Sequence, residues 1–357
     1  MSERLAIESH KGPYEVVFED DALGRLAGDL AANAHFIVDD RIAALYEDEF
    51  APLFDQPSVL RIEAREESKS LDRFPSYVEH LVGRGVRRDH TLIAIGGGIT
   101  QDITCFLAAT LLRGVAWHFY PTTLLAQADS CIGSKSSINC GAAKNILGTF
   151  TPPGRVVINS RFLDTLDERD VRSGVGEMLK AHAIEGPGAF DRIAADYERL
   201  FKGRTVMVDY IHRSLAIKTR YIEEDEFDLG PRNVFNYGHS FGHAIEAATG
   251  FAVPHGIAVT IGMDMANFAA VRFGIATDEN FRRMHPTLKS NYQGFEDHPI
   301  PTGPFLDAIA KDKKNTGSGT VALILPDAEG RLSKGSFAND DAFAALCADY
   351  LERERAL

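Results

Sequence analysis

The chain has 357 residues, 45% of them hydrophobic and 25% charged, and carries a formal net charge of −13. This is an ordinary globular composition, long enough for two domains of about 150 residues each, and its negative sign argues against nucleic acid as a partner. No apolar run reaches the ~18 to 20 residues of a membrane span, and the start, MSERLAIESHKGPYEVVF, lacks the basic-then-apolar order of a secretory signal, so a cytoplasmic protein is expected.

Short β-type runs come first: 14–20 (YEVVFED), 35–40 (HFIVDD), 58–63 (SVLRIE), 91–98 (TLIAIGGG), 117–123 (WHFYPTT) and 155–160 (RVVINS). Amphipathic stretches near 22–32 and 71–86 lie between them. Such alternation implies a largely parallel sheet with helices on its faces. After about residue 168 helical spacing takes over, in 167–185, 191–201, 208–226 and 242–250, with one late strand at 320–326 (TVALILP). The expected organisation is an α/β nucleotide-binding domain over 1–168 and a mainly α-helical, metal- and substrate-binding domain over 169–357. The four cysteines, Cys105, Cys131, Cys140 and Cys347, show no CxxC spacing and read as reduced, mostly buried thiols.

Two segments carry chemistry. Gly96-Gly97-Gly98 follows an apolar strand and precedes a helical stretch, where glycines admit a phosphate to the backbone and a helix N-terminus favours it. The spacing is not GxGxxG, and a tight turn without a ligand explains these three residues equally well. A polar stretch follows, with Pro121-Thr122-Thr123, Asp129, Lys135 and Lys144-Asn145. Its lysines among Gly, Ser and Asn suit phosphate or sugar binding, or are solvated loop lysines. Farther on, His239 and His243 stand four apart and share a helix face, with His255 downstream and Glu177 upstream. Zinc accepts such mixed ligands. Core or capping histidines fit the spacing too, and spacing cannot show which histidine is not a ligand.

In combination, GGGITQD (96–102), LLRGVAWHFYPTTLLAQADSCIGSKSSIN (111–139), KNILGTF (144–150), FLDTLDERDVRSGVGEMLK (162–180) and RNVFNYGHSFGHAIE (232–246) resemble the 3-dehydroquinate synthase family of sugar phosphate cyclases. PHG (254–256) and DKKN (312–315) agree less distinctively. The resemblance implies Glu177, His239 and His255 as metal ligands and His243 as a catalytic histidine. It implies a substrate pocket lined by Asp129, Lys135, Asn145, Lys180, Lys218, Arg232 and Asn236, with a further cation from Lys313 or Lys314. Arg113 matches an arginine that reaches the neighbouring subunit's site, which implies a homodimer. Gly97, Gly98, Asp102, Thr122, Thr123, Lys144 and Thr165 match contacts to NAD, and Glu66 with Lys69 the pair that holds its adenosine ribose.

The implied cofactors are NAD and a divalent metal, zinc or cobalt. The implied reaction converts 3-deoxy-D-arabino-heptulosonate 7-phosphate to 3-dehydroquinate with loss of phosphate. It runs by transient oxidation, elimination, re-reduction and intramolecular aldol closure. Ile257 stands where the family commonly has Glu, Ser134 and Ala143 where it has Gly, Arg41 in place of an Asn, and Gln101 where a Gly is usual. These departures leave open a shikimate-pathway enzyme or a specialised cyclase of the amino-dehydroquinate, valiolone or inosose type. A metal-dependent polyol dehydrogenase would need no lysine and arginine cage, and a binding protein without catalysis no full metal-ligand set.

Overall fold

The computed structural model describes residues 4–21, 33–141, 143–311 and 319–356. The stretch 22–32 and the pair Lys313 and Lys314 lie outside the described residues. The chain divides into two compact units, one of Met1–Asp167 with Lys218–Phe227, the other of Glu168–Ile217 with Asp228–Leu357.

The first unit is built on a sheet of seven strands: β1 (Arg4–Ile7), β2 (Tyr14–Phe18), β3 (Ala34–Asp39), β4 (Val59–Ile62), β5 (Thr91–Gly96), β6 (Ala116–Pro121) and β9 (Arg155–Ile158), in the order β1-β2-β9-β6-β5-β3-β4. Every pairing is parallel except β1 with β2. Val38 and Ile95 are wholly buried, as expected of inner parallel strands, and pack with Phe36, Phe50 and Phe162. The progression reverses between β3 and β5. In open α/β sheets the carboxyl ends of the strands at such a reversal are where ligands bind, and the glycine turn closes β5 there.

Sequence reading placed a polar loop at 121–145. The structure has a turn of π-helix at Ala126–Ser130 and a hairpin of β7 (Lys135–Cys140) and β8 (Ala143–Phe150). Small polar residues hide the strand period, and alternation shows only in burial, with Ser136 and Ile138 inside. The late strand is β10 (Thr320–Pro326), and its partner β11 (Leu332–Ala338) is mostly exposed and lacks the β-branched signal. The stretch 191–201 is not one helix but two, Pro187–Ala195 and Tyr197–Leu200.

The second unit surrounds the helix His255–Arg272, which is buried without interruption from Gly256 to Ala270. A helix buried on all sides belongs at the centre of a helical domain. It packs against helices Glu168–Glu185, His239–Ala248 and Asp278–Asn291 and against β10. Its one carboxylate, Asp264, accepts hydrogen bonds from His285 Nδ1 (2.9 Å), Tyr292 (3.1 Å) and Tyr350 (2.7 Å). Among the described residues no helix is long and apolar enough to cross a membrane. Cys105, Cys131 and Cys347 are buried free thiols, and Cys140 is exposed.

Candidate active site

Glycines beside the ligand-type residues bring three backbones of the second unit together. A Cβ on Gly176 would stand 2.5 Å from Thr260 Oγ1, and one on Gly256 2.6 Å from the carbonyl carbon of Ser173, so helices Glu168–Glu185 and His255–Arg272 touch backbone to backbone. Gly238, in the left-handed region at φ 76°, leaves a Cβ 2.6 Å from the carbonyl oxygen of Val259. Glu177, His255 and His239 are the chain neighbours of these glycines, so side chains from three helices converge.

Ligand-type atoms of Glu177, His239 and His255 all lie within 4.8 Å of one another. Glu177 Oε1 is 3.7 Å from His239 Nε2 and 3.5 Å from His255 Nε2. These separations are too long for firm hydrogen bonds. They suit ligands about 2.0–2.2 Å from a shared tetrahedral cation, which stand about 3.3–3.5 Å apart. Glu177 Oε1 accepts no hydrogen bond. His239 Nδ1 lies 3.2 Å from the carbonyl of Tyr237 and His255 Nδ1 3.2 Å from Glu246 Oε2. Donation from each Nδ1 leaves each Nε2 lone pair facing Glu177, the usual outer arrangement of metal-binding histidines. The residues therefore fit a divalent metal. Glu246 is the member that sequence reading missed, and the carboxylate three residues after His243 on a shared helix face is the signal that locates it.

Lys180 is 2% exposed and its Nζ pairs with Glu177 Oε2. Burial disfavours the ionised Glu177, yet Lys180 and His255 hold it well below the usual carboxylate range. Burial also works against a proton on His255, and Glu177 and Glu246 on either side outweigh it, pushing the imidazole well up. Surroundings that favour a proton there favour a cation equally. His243 is exposed, outside that donor group, with its ring 5.3 Å from that of His239. Arg232 is buried, and Asn236 donates to the carbonyl of Asn233 at 3.1 Å.

In the first unit Gly97 caps the helix Gly98–Thr110. A Cβ on Gly97 would lie 3.0 Å from Thr123 Cγ2, while one on Gly98 meets nothing within 4 Å. Packing thus accounts for Gly97, and Gly98 faces open space at the helix start. Thr122 is buried, its amide bonded to the carbonyl of Gly96 at 2.9 Å. Lys69 Nζ donates to Asp102 Oδ2 (3.0 Å) and Asn145 Oδ1 (2.9 Å), with Glu66 Oε1 at 3.8 Å. Burial pushes Asp102 up, against the pull of Lys69. Asn145, which the resemblance gives to the substrate, therefore shares a cluster with residues given to the cofactor. Asn139 and Ser137, which sequence reading did not single out, complete it, Asn139 bonding Glu66 Oε1 (2.8 Å) and Ser137 N bonding Asp102 Oδ1 (3.0 Å).

Elsewhere in this unit Lys218 Nζ pairs with Asp129 Oδ2 at 3.0 Å. Thr165 Oγ1 is 3.2 Å from the Tyr46 hydroxyl. Lys135 and Lys144 are exposed on the hairpin. Leu112 and Arg113 both adopt positive φ, 52° and 66°, a strained geometry for two successive residues with side chains.

Residues 59–173 match the family model of the 3-dehydroquinate synthase N-terminal domain, and 174–315 that of the C-terminal domain. The chain is 33% identical over 336 residues to the 3-dehydroquinate synthase of Dictyoglomus thermophilum, covering 92% of this chain and 93% of that protein. It is 31% identical over 361 residues to the one from Rhizobium leguminosarum bv. trifolii, covering 96% and 94%. The chain belongs to the 3-dehydroquinate synthase family. Among solved structures, 2-epi-5-epi-valiolone synthase of Streptomyces hygroscopicus subsp. jinggangensis with NAD+ and Zn2+ bound superposes with a TM-score of 0.82 at 25% identity, over 96% of this chain and 97% of that one. A 2-deoxy-scyllo-inosose synthase superposes with a TM-score of 0.83 at 20% identity, over 98% and 99%, and shows the shared fold.

Proposed function

We propose that the protein is a carbon–oxygen lyase that cyclises 3-deoxy-D-arabino-heptulosonate 7-phosphate to 3-dehydroquinate, in the shikimate route to aromatic amino acids. The observation that carries this reading is the Glu177–His239–His255 group with the buried Lys180 against it. Glu177, His239 and His255 hold a divalent metal, zinc or cobalt. Gly97, Gly98, Thr122, Thr123, Lys144, Thr165 and the Glu66–Lys69–Asp102 cluster hold NAD. Bound there, the cation supplies Lewis acidity and NAD a reversible hydride acceptor. Family membership and the Zn2+ and NAD+ of the valiolone synthase support the pair.

In the second unit, Lys180 and Arg232 supply the positive charge that an anionic substrate needs inside a protein of net charge −13. Asn236 donates to a substrate oxygen, and His243, exposed beside the metal group, moves protons at its ring nitrogen. In the first unit, Asp129, Lys135, Asn145 and Lys218 contact substrate, Asp129 orienting the Lys218 ammonium through their ion pair. With the cation and NAD bound, oxidation of a hydroxyl would acidify the neighbouring proton so that phosphate could leave by elimination, and re-reduction would precede ring opening and aldol closure, with His243 moving the protons. The functional unit is a homodimer in the cytoplasm, with Arg113 crossing to the partner's site.

A specialised cyclase of the valiolone type, acting on a neutral sugar phosphate, is the second reading, favoured by the likeness to a 2-epi-5-epi-valiolone synthase. Ile257 does not weigh for it, because the side chain is wholly buried in the core and sets no pocket rim. Turnover of the keto acid phosphate is compared with that of sedoheptulose 7-phosphate and glucose 6-phosphate. Phosphate release from the keto acid with no lasting NADH absorbance is expected. Faster cyclisation of a neutral sugar phosphate overturns the assignment of the keto acid phosphate as substrate, and stoichiometric NADH makes the protein a dehydrogenase.

A further inference from the structure

His243 and Glu246 lie three residues apart on the helix His239–Ala248, so their side chains leave one face. With His255 they form a second donor group, one atom of each lying within 4.8 Å of the others. The imidazole of His255 stands between two carboxylates, its Nε2 3.5 Å from Glu177 and its Nδ1 3.2 Å from Glu246. His243 is exposed, whereas the Glu246 side chain is only 12% exposed. The group is therefore open to solvent on the His243 side and enclosed on the other.

We propose that His243 and Glu246 are the protein ligands of a second, inhibitory site for a nitrogen-seeking divalent cation such as Zn2+. His255 keeps its Nδ1 proton and holds one oxygen of Glu246, and the cation takes the other oxygen and a ring nitrogen of His243. Water fills the remaining positions. Any proton on the ligating nitrogen of His243 passes to solvent as the cation binds. The lone pair that would otherwise carry protons for the substrate is then occupied, so activity falls as free Zn2+ rises. With two protein ligands rather than three, this site fills after the Glu177–His239–His255 site. The inference rests on the function proposed above for its inhibitory character, not for its ligands.

The test is a count of ions per chain as metal-free protein is titrated with Zn2+ alone against a chromophoric chelator. The wild type is expected to take two, the second at least about tenfold more weakly. His243→Ala is expected to keep the tight ion and lose the weak one, and Glu246→Gln to weaken the second by more than about tenfold. His243 is exposed, so its replacement leaves the fold intact, which the melting temperature of the metal-free protein checks. A single ion in the wild type, or two in His243→Ala, overturns the proposal. A weak, His243-dependent ion without any tight one supports this site and overturns the reading of Glu177, His239 and His255.

Discussion

Gly256→Ala probes whether backbone contact builds the proposed metal site. The added Cβ would stand 2.6 Å from the carbonyl carbon of Ser173 and 2.9 Å from its Cα, with the oxygen nearer still. Ordinary contact begins at about 3.4 Å, so the helices Glu168–Glu185 and His255–Arg272 must part by about 0.8 Å or more. Overpacking of this kind costs about 1–3 kcal/mol of stability. The effect on the metal should be larger in proportion. Ligand positions tolerate about 0.2 Å, and the contact lies beside His255 on one helix and one turn before Glu177 on the other. A loss of Zn2+ affinity of at least about a hundredfold is expected, beyond the 10- to 100-fold typical of outer-sphere changes. Chelator competition measures the affinity and urea denaturation of the metal-free variant the stability. Unchanged Zn2+ affinity in a folded variant refutes the argument that these glycines set the ligand geometry.

Glu246→Ala removes the acceptor of His255 Nδ1 at 3.2 Å and should weaken the tight Zn2+ by about 10- to 100-fold while leaving the melting temperature of the metal-free protein nearly unchanged. Gly98→Ala meets no atom within 4 Å and should leave stability within about 0.5 kcal/mol, yet lower NAD affinity in equilibrium dialysis; equal NAD binding would separate the turn from the cofactor. The hydrogen bond that His285 donates to Asp264, working against burial, raises the pKa of His285 above 6.5, so its stabilisation is complete below that pH and is lost as pH rises through the folded pKa. Melting temperature should therefore fall with pH on the alkaline side of 6.5 more steeply in the wild type than in His285→Gln, and identical slopes would count against the pair.

The parallel core was legible because β3, β5 and β9 are short apolar runs closed by polar residues or glycine. β1, β7 and β8 were not. A four-residue edge strand carries too little pattern, and the hairpin's serines and asparagines face Lys69, Asp102 and Glu66, so their reason for being polar lies in neighbours distant in sequence. The stretch 91–98 ends as a strand at Gly96 because Gly97 already caps the next helix. Composition alone does not mark that handover.

Spacing placed His239 and His243 on one helix face but could not rank them, because the choice depends on which histidine meets a second helix. That contact is encoded elsewhere. Each residue of the donor group adjoins a glycine at a close backbone crossing, Gly176 before Glu177, Gly238 before His239 and Gly256 after His255. His243 follows Gly242, whose Cβ would lie a less severe 3.1 Å from the backbone of Ala258 and Val259, and it points to solvent. The backbone at His239 is drawn in more closely than that at His243. The pairs Gly-Glu, Gly-His and His-Gly, read together with the mostly apolar helix His255–Arg272 that two of the glycines approach, therefore carry more information about the proposed ligand set than the HxxxH interval does.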